Sequence, residues 1–114
     1  MKLNQIINNY WNNKYKLENR NNLPSQFSSF VLNEIKNKYP IIDCGCGDGR
    51  DSIFFLKYNK IVYGLDSSKF AIKICKKKSS MRKKNSKFLL INFEEKEEVN
   101  KAINNLKKIS SNYN

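Results

Sequence analysis

Histidine is missing from this chain of 114 residues, proline occurs twice, cysteine three times, and arginine three times among 22 basic residues. No apolar run approaches the roughly 18 residues that span a bilayer, and Met1 to Tyr10 has no signal-peptide core. Neither a membrane span nor a secretory leader is expected. Cys44, Cys46 and Cys75 are an odd number without disulfide-scaffold spacing, which fits a reducing, cytoplasmic compartment. Cys44-x-Cys46 has no histidine and no second cysteine pair to complete a zinc set, so no metal is expected. This length allows one domain with a modest core.

Basic charge is what the chain has in excess. The formal net charge is +12, and Lys69 to Lys87 holds nine Lys or Arg and no acid. A basic block can track phosphates, so a non-catalytic module that binds RNA or another acidic partner is one reading of the chain. The scarcity of arginine and the lack of aromatics interleaved in "KKKSSMRKKNSK" weigh against base recognition. Heavy use of Lys, Asn and Ile suggests an AT-biased coding sequence, and a solvated helix face then accounts for the block.

The stretch "IIDCGCGDGRDSIFF", Ile41 to Phe55, is the least ordinary part. Ile41 and Ile42 read as the end of a buried strand, the glycines as a tight turn, and Ser52 to Leu56 as the opening of a packed helix. Such a strand-loop-helix leaves backbone N–H groups free at the helix start and lets a ligand approach the main chain. The dinucleotide fingerprint G-x-G-x-x-G fits poorly. The glycines are Gly45, Gly47 and Gly49 with Arg50 after them, and Asp43 would stand beside a diphosphate as a like charge. A ligand carrying an ammonium and a sulfonium, such as S-adenosylmethionine, suits the acid better.

In these residues the sequence resembles the class I S-adenosylmethionine-dependent methyltransferases. The first motif is Asp43 to Asp51, and the second is "VYGLDSS", with Asp66 ending an apolar run 23 residues after Asp43. The third is "KFLLINFEE". A carboxylate at Asp66 can accept two hydrogen bonds from a ribose diol. The resemblance implies cofactor contacts at Asp43, Cys44, Gly45, Cys46, Gly47, Arg50 and Asp51, at Asp66 and Ser67, and at Asn92 and Phe93. Asn92 would offer its carbonyl oxygen to the adenine amino group. Asp51 has an alternative role as a helix-start acid that complements the dipole. More loosely, "YWNNKYK" and "LPSQFSSFVLNEI" resemble the N-terminal region of methyltransferases from bacterial surface-polysaccharide clusters.

The periodicity predicts an α/β fold, a Rossmann-like parallel sheet with flanking helices. Residues 1–38 are expected to form an N-terminal helical cap, and residues 39–114 a partial cofactor-binding domain. In the cap, Leu3, Ile6, Ile7, Tyr10 and Trp11 share helical spacing and pack on the domain, or Trp11 and Tyr15 close over the ligand as part of a lid. Ser25 reads as the N-cap of a second helix whose Phe27, Phe30, Val31 and Ile35 enter the core, with Tyr39 and Pro40 ending it. Strands are expected at Ile41–Cys44, Ile61–Leu65 and Lys87–Ile91. Helices are expected at Ser52–Tyr58, from Lys69 (capped by Ser68) to about Lys78, and through "EEKEEVNKAINNLKKISSNYN", with Val99, Ile103 and Leu106 on one face.

By analogy with the family a fourth strand would follow and pair beside the first. The chain stops at Asn114, so the expectation is a fold truncated after its third strand, with Ile41–Cys44 an open edge prone to self-association. The resemblance implies methyl transfer to an oxygen or nitrogen of a small-molecule or saccharide acceptor, by in-line displacement, with no residue of this stretch nameable as a base. A nicotinamide-binding half-domain is a third reading, which the glycine spacing and Asp43 oppose.

Overall fold

A computed structural model describes residues 2–17, 23–36 and 38–110. The elements are α1 (Leu3–Leu17), α2 (Gln26–Glu34), β1 (Ile41–Cys44), α3 (Arg50–Lys57), β2 (Val62–Asp66), α4 (Lys69–Lys78), a 3-10 turn (Ser80–Asn85), β3 (Ser86–Leu90) and α5 (Lys96–Ser110). The strands form one parallel sheet in the order β1-β2-β3. Ile41 stands opposite Val62, and Asp66 opposite Leu90. The expected α/β, Rossmann-like architecture is present.

β2 is the central strand because "VYGL" has side chains that suit burial on both faces, and all four residues are buried. Its alternation splits the core in two. Val62 joins Phe55, Leu56, Ile72, Cys75 and Phe88 on the face covered by α3 and α4. Tyr63 and Leu65 join Ile91, Ala102 and Leu106 under α5. Gly64 interrupts the strand for a packing reason. A Cβ there would overlap the ring of Phe88, which is 4% exposed and has nowhere to retreat.

Most boundaries agree with the periodicity to within two residues, and the caps explain the ends. Ser25 accepts from Ser28 N (3.2 Å) and Ser68 accepts from Ala71 N (3.2 Å), both as N-caps. α2 is shorter than Tyr39-Pro40 implied, ending at Glu34 with Ile35 in an extended conformation. The long terminal helix begins at Lys96, after the turn that closes Glu95 N onto Asn92 O (3.0 Å). Ala102 takes the buried position expected for Ile103, which is exposed.

Two helices present a different face from the one their apolar spacing suggests. In α2, Phe27 (72%) and Phe30 (61%) are exposed; Val31 packs on the core as expected, joined there by Leu32, and Ser28 is buried. The cause is the helix start, where Ser25 is bound to Asp51 of α3 and fixes the rotation of the first turn. In α1, Leu3, Ile6, Ile7 and Tyr10 form the stripe expected to pack, and all four are exposed. α1 docks on the start of α4 through amides instead. Asn8 Oδ1 accepts from Ser67 Oγ (3.1 Å), and Asn12 Oδ1 accepts from Ser68 Oγ. The side chains of Trp11 and Tyr15 lie outside the described residues. No helix among the described residues is long and apolar enough to cross a membrane.

Candidate functional site

The carboxyl ends of parallel strands are where side chains from separate parts of a sequence meet. Here β1 ends at Cys44 just after Asp43, β2 ends at Asp66, and Asn92 follows β3. Between β1 and α3 the loop runs through Gly45, Gly47 and Gly49, all at positive φ (73°, 57° and 85°). Its hydrogen bonds turn inward. Gly45 N and Cys46 N both donate to Leu65 O (2.7 and 3.0 Å), and Gly49 N donates to Cys46 O (3.0 Å). Gly47 N donates to Asp66 Oδ2 (2.8 Å). The sequence suggested free N–H groups at the helix start, which follows this loop at Arg50. Within the loop itself the end of β2 supplies acceptors for three of these four donors, and Cys46 O takes the fourth.

Asp66 is the joint of the site. One oxygen holds Gly47 and the other accepts from Ser68 N (2.8 Å), which ties the loop to the start of α4. A carboxylate offers about four lone-pair sites, so two remain for a ligand diol. Asp43 is half-buried, and its Oδ2 accepts from Ser52 Oγ (2.7 Å). Burial pushes the Asp43 carboxyl above the usual range, the Ser52 bond lowers it, and the negative charges of Asp51 and Asp66 raise it further. A carboxylate in that position is relieved by a cation.

A model for a methyltransferase domain matches residues 35–113. The chain belongs to that family. The solved structures agree in fold. One, from work on conversion of a disulfide bond into a thioacetal group during echinomycin biosynthesis, has a TM-score of 0.63 at 19% identity, over 80% of this chain and 40% of that one. An S-adenosylmethionine-dependent methyltransferase from Anabaena variabilis gives 0.54 at 24% identity, over 81% of this chain and 40% of its own. Geranyl diphosphate C-methyltransferase from Streptomyces coelicolor, solved with Mg2+, geranyl-S-thiolodiphosphate and S-adenosyl-L-homocysteine, gives 0.50 at 14%, over 58% and 26%. The chain thus spans less than half the length of each. Among curated proteins no sequence matches significantly.

Within this methyltransferase domain the predicted residues divide by position. Asp43, the glycine loop and Asp66 come together. Ser67 bridges to α1 through Asn8. Asn92 sits at the third strand end, where its Oδ1 accepts from Glu94 N (3.1 Å) and its N–H donates to Glu98 Oε1 (3.2 Å). It therefore holds the turn that leads into α5 and keeps one carbonyl lone pair spare. Cys44 and Phe93 are exposed. Cys46 points into the core, with its Sγ 4.0 Å from Cys75 Sγ, and the bond to Cys75 and burial push its thiol up.

Arg50 stands apart from that group, and Asp51, though close to Asp43, is taken up by an anchoring contact. Arg50 is exposed and lines a hollow of about 280 Å3 with Pro24, Phe54 and Lys57. Asp51 accepts from Ser25 N (2.7 Å) and Ser25 Oγ (2.9 Å), an anchoring role that only the distance of 26 residues hid from the sequence. It shares with Asp43 a smaller hollow of about 190 Å3 beside β1, which Phe27 and Val31 also line. Ser52, fully buried against Asp43, carried no signal beyond its place in the first turn of α3.

Proposed function

We propose that this methyltransferase domain binds S-adenosylmethionine across the carboxyl ends of its three strands and takes part in transferring the methyl group to a small-molecule or sugar acceptor, at oxygen or nitrogen. The supporting observation is a pair of carboxylates, Asp43 and Asp66, on adjacent strand ends, beside a loop whose Gly45, Cys46, Gly47 and Gly49 N–H groups are already paired. That arrangement is poor for a diphosphate, which needs donors, and good for a ligand bearing positive charge and a diol.

When bound, the cofactor supplies a methyl group activated by a sulfonium. The chain's own residues bind and orient. Asp43 attracts the ammonium, and Ser52 fixes the rotamer in which it does so. Asp66 takes the ribose hydroxyls with the lone pairs that Gly47 and Ser68 leave free. Asn92 receives the adenine amino group, and the exposed ring of Phe93 lies beside it in sequence. Cys44 and Ser67 border the same strand ends, while Arg50 and Asp51 support the site through α3 and its contact with α2. Holding the methyl carbon in line with an acceptor supplies much of a transfer rate without a protein nucleophile. The N-terminal helices α1 and α2 serve as the cap, and α1 reaches the site through Asn8 and Asn12. Three free thiols suit a cytoplasmic setting.

Calorimetry with S-adenosylhomocysteine tests the reading. Asp66→Ala is expected to weaken binding by about 1 to 3 kcal/mol, the value of hydrogen bonds to a charged group. A thermal melt checks that the variant remains folded. Unchanged affinity in the folded variant removes Asp66 from the site, and tighter binding of NAD than of S-adenosylhomocysteine overturns the cofactor assignment.

A further inference from the structure

The basic block has a shape that its sequence did not reveal. Lysines that only solvated a helix would spread around α4. Here α4, the 3-10 turn and β3 converge on one concave groove of about 620 Å3, lined by Lys76, Lys77, Lys83 and Lys87. All four lysines are exposed. From Ser67 to Phe93 the chain contains no carboxylate to neutralise them. The frame that carries them is tied down. Arg82 Nε donates to Leu56 O (3.2 Å), Ser86 Oγ donates to Arg82 O (2.9 Å), and Ser79 N donates to Cys75 O (2.9 Å). β3 is an edge of the described sheet, and no described strand covers the groove.

We propose that this groove binds the phosphodiester backbone of a single-stranded nucleic acid, independently of the cofactor site. Four ammonium groups from three elements match a flexible chain that carries one negative charge per residue. Lysine is a compact point charge, and the groove presents no arginine fork and no exposed aromatic ring, so phosphates are held while bases and sugar are ignored. Concavity favours a strand. A duplex carries its phosphates on a stiff convex surface, and a lipid headgroup plane reaches only the rim.

Fluorescence anisotropy with labelled oligouridylate and oligothymidylate, between about 50 and 200 mM salt, tests this. Both should bind alike, with log K falling against log salt at a slope of about −3, from about −0.7 for each of four phosphate contacts. Lys83→Gln with Lys87→Gln should bring the slope to about −1.4 and leave S-adenosylhomocysteine affinity unchanged. Lys101→Gln with Lys107→Gln removes the same charge from exposed positions of α5 and should leave the slope intact. The proposal is overturned by absence of binding at the lowest salt, by an equal loss from the α5 pair, or by retention on phosphatidylserine vesicles in place of the oligonucleotides.

Discussion

Replacing Gly49 by alanine probes how tightly the loop is built into the core. Gly49 has φ of +85°, and a Cβ there would lie 2.8 Å from Cys75 Sγ. The next atoms, Ile53 Cγ1 at 3.6 Å and Cys75 Cβ at 3.7 Å, are ordinary contacts. Gly45, at φ +73°, has nothing within 4 Å of the same hypothetical atom. Both substitutions place alanine in the left-handed region, at about 1 to 2 kcal/mol, partly offset by a less flexible unfolded chain. Only Gly49→Ala adds overpacking, about 1 to 3 kcal/mol more. Cys75 cannot yield easily, since it is fully buried, 4.0 Å from Cys46 Sγ and 3.2 Å from Gly47 O. Urea denaturation under reducing conditions should therefore show a loss of about 1 kcal/mol for Gly45→Ala and about 2 to 4 kcal/mol for Gly49→Ala. Adding Cys75→Ala to Gly49→Ala removes the clashing atom, and the double-mutant cycle should return a favourable coupling of about 1 to 2 kcal/mol. Equal losses at the two glycines, or additivity in the cycle, would refute the reasoning.

Other perturbations follow from the same geometry. Because burial raises the Asp43 carboxyl, its contribution to stability is fully present below the unfolded pKa of 3.8 and is lost as pH rises through the folded value. Asp43→Asn should thus raise the melting temperature at neutral pH while weakening S-adenosylhomocysteine binding. The wild type should bind less tightly as pH falls through that range and the variant should not, and matching pH profiles would contradict the assignment. Asp51→Ala removes both bonds to Ser25 and should cost about 1.5 to 3 kcal/mol in a urea melt, with little further loss when Ser25→Ala is added. β1 is an edge of the described sheet, Ile42 within it is 47% exposed, and the +12 charge is screened beyond about 8 Å at physiological salt. Light scattering of the 114-residue chain should show self-association growing with salt, and a stable monomer at high salt would sink the open-edge argument.

The sequence by itself determined the parallel α/β order and the strand ends on which the site stands. Apolar runs such as "VYGL" between helical segments suit buried strands, and Asp66 at the end of one and Asp43 before the glycines are legible as spacing. N-caps at Ser25 and Ser68 were legible too, because capping is a contact three residues long. What only the tertiary structure decided are relations between distant residues. Periodicity names the apolar face of a helix, yet the exposed stripes of α1 and α2 are set by Asn8 and Asn12 on the Ser67-Ser68 turn and by Asp51 on Ser25. Hydrogen bonds between residues 26 to 59 positions apart leave no trace in local spacing. The same holds for Ser52 beneath Asp43, for Phe88 over Gly64, and for Gly47 N–H taken by Asp66. The lysines give the clearest contrast. Their number is a property of the chain, but their convergence on one groove exists only because β3 returns beside the end of α4.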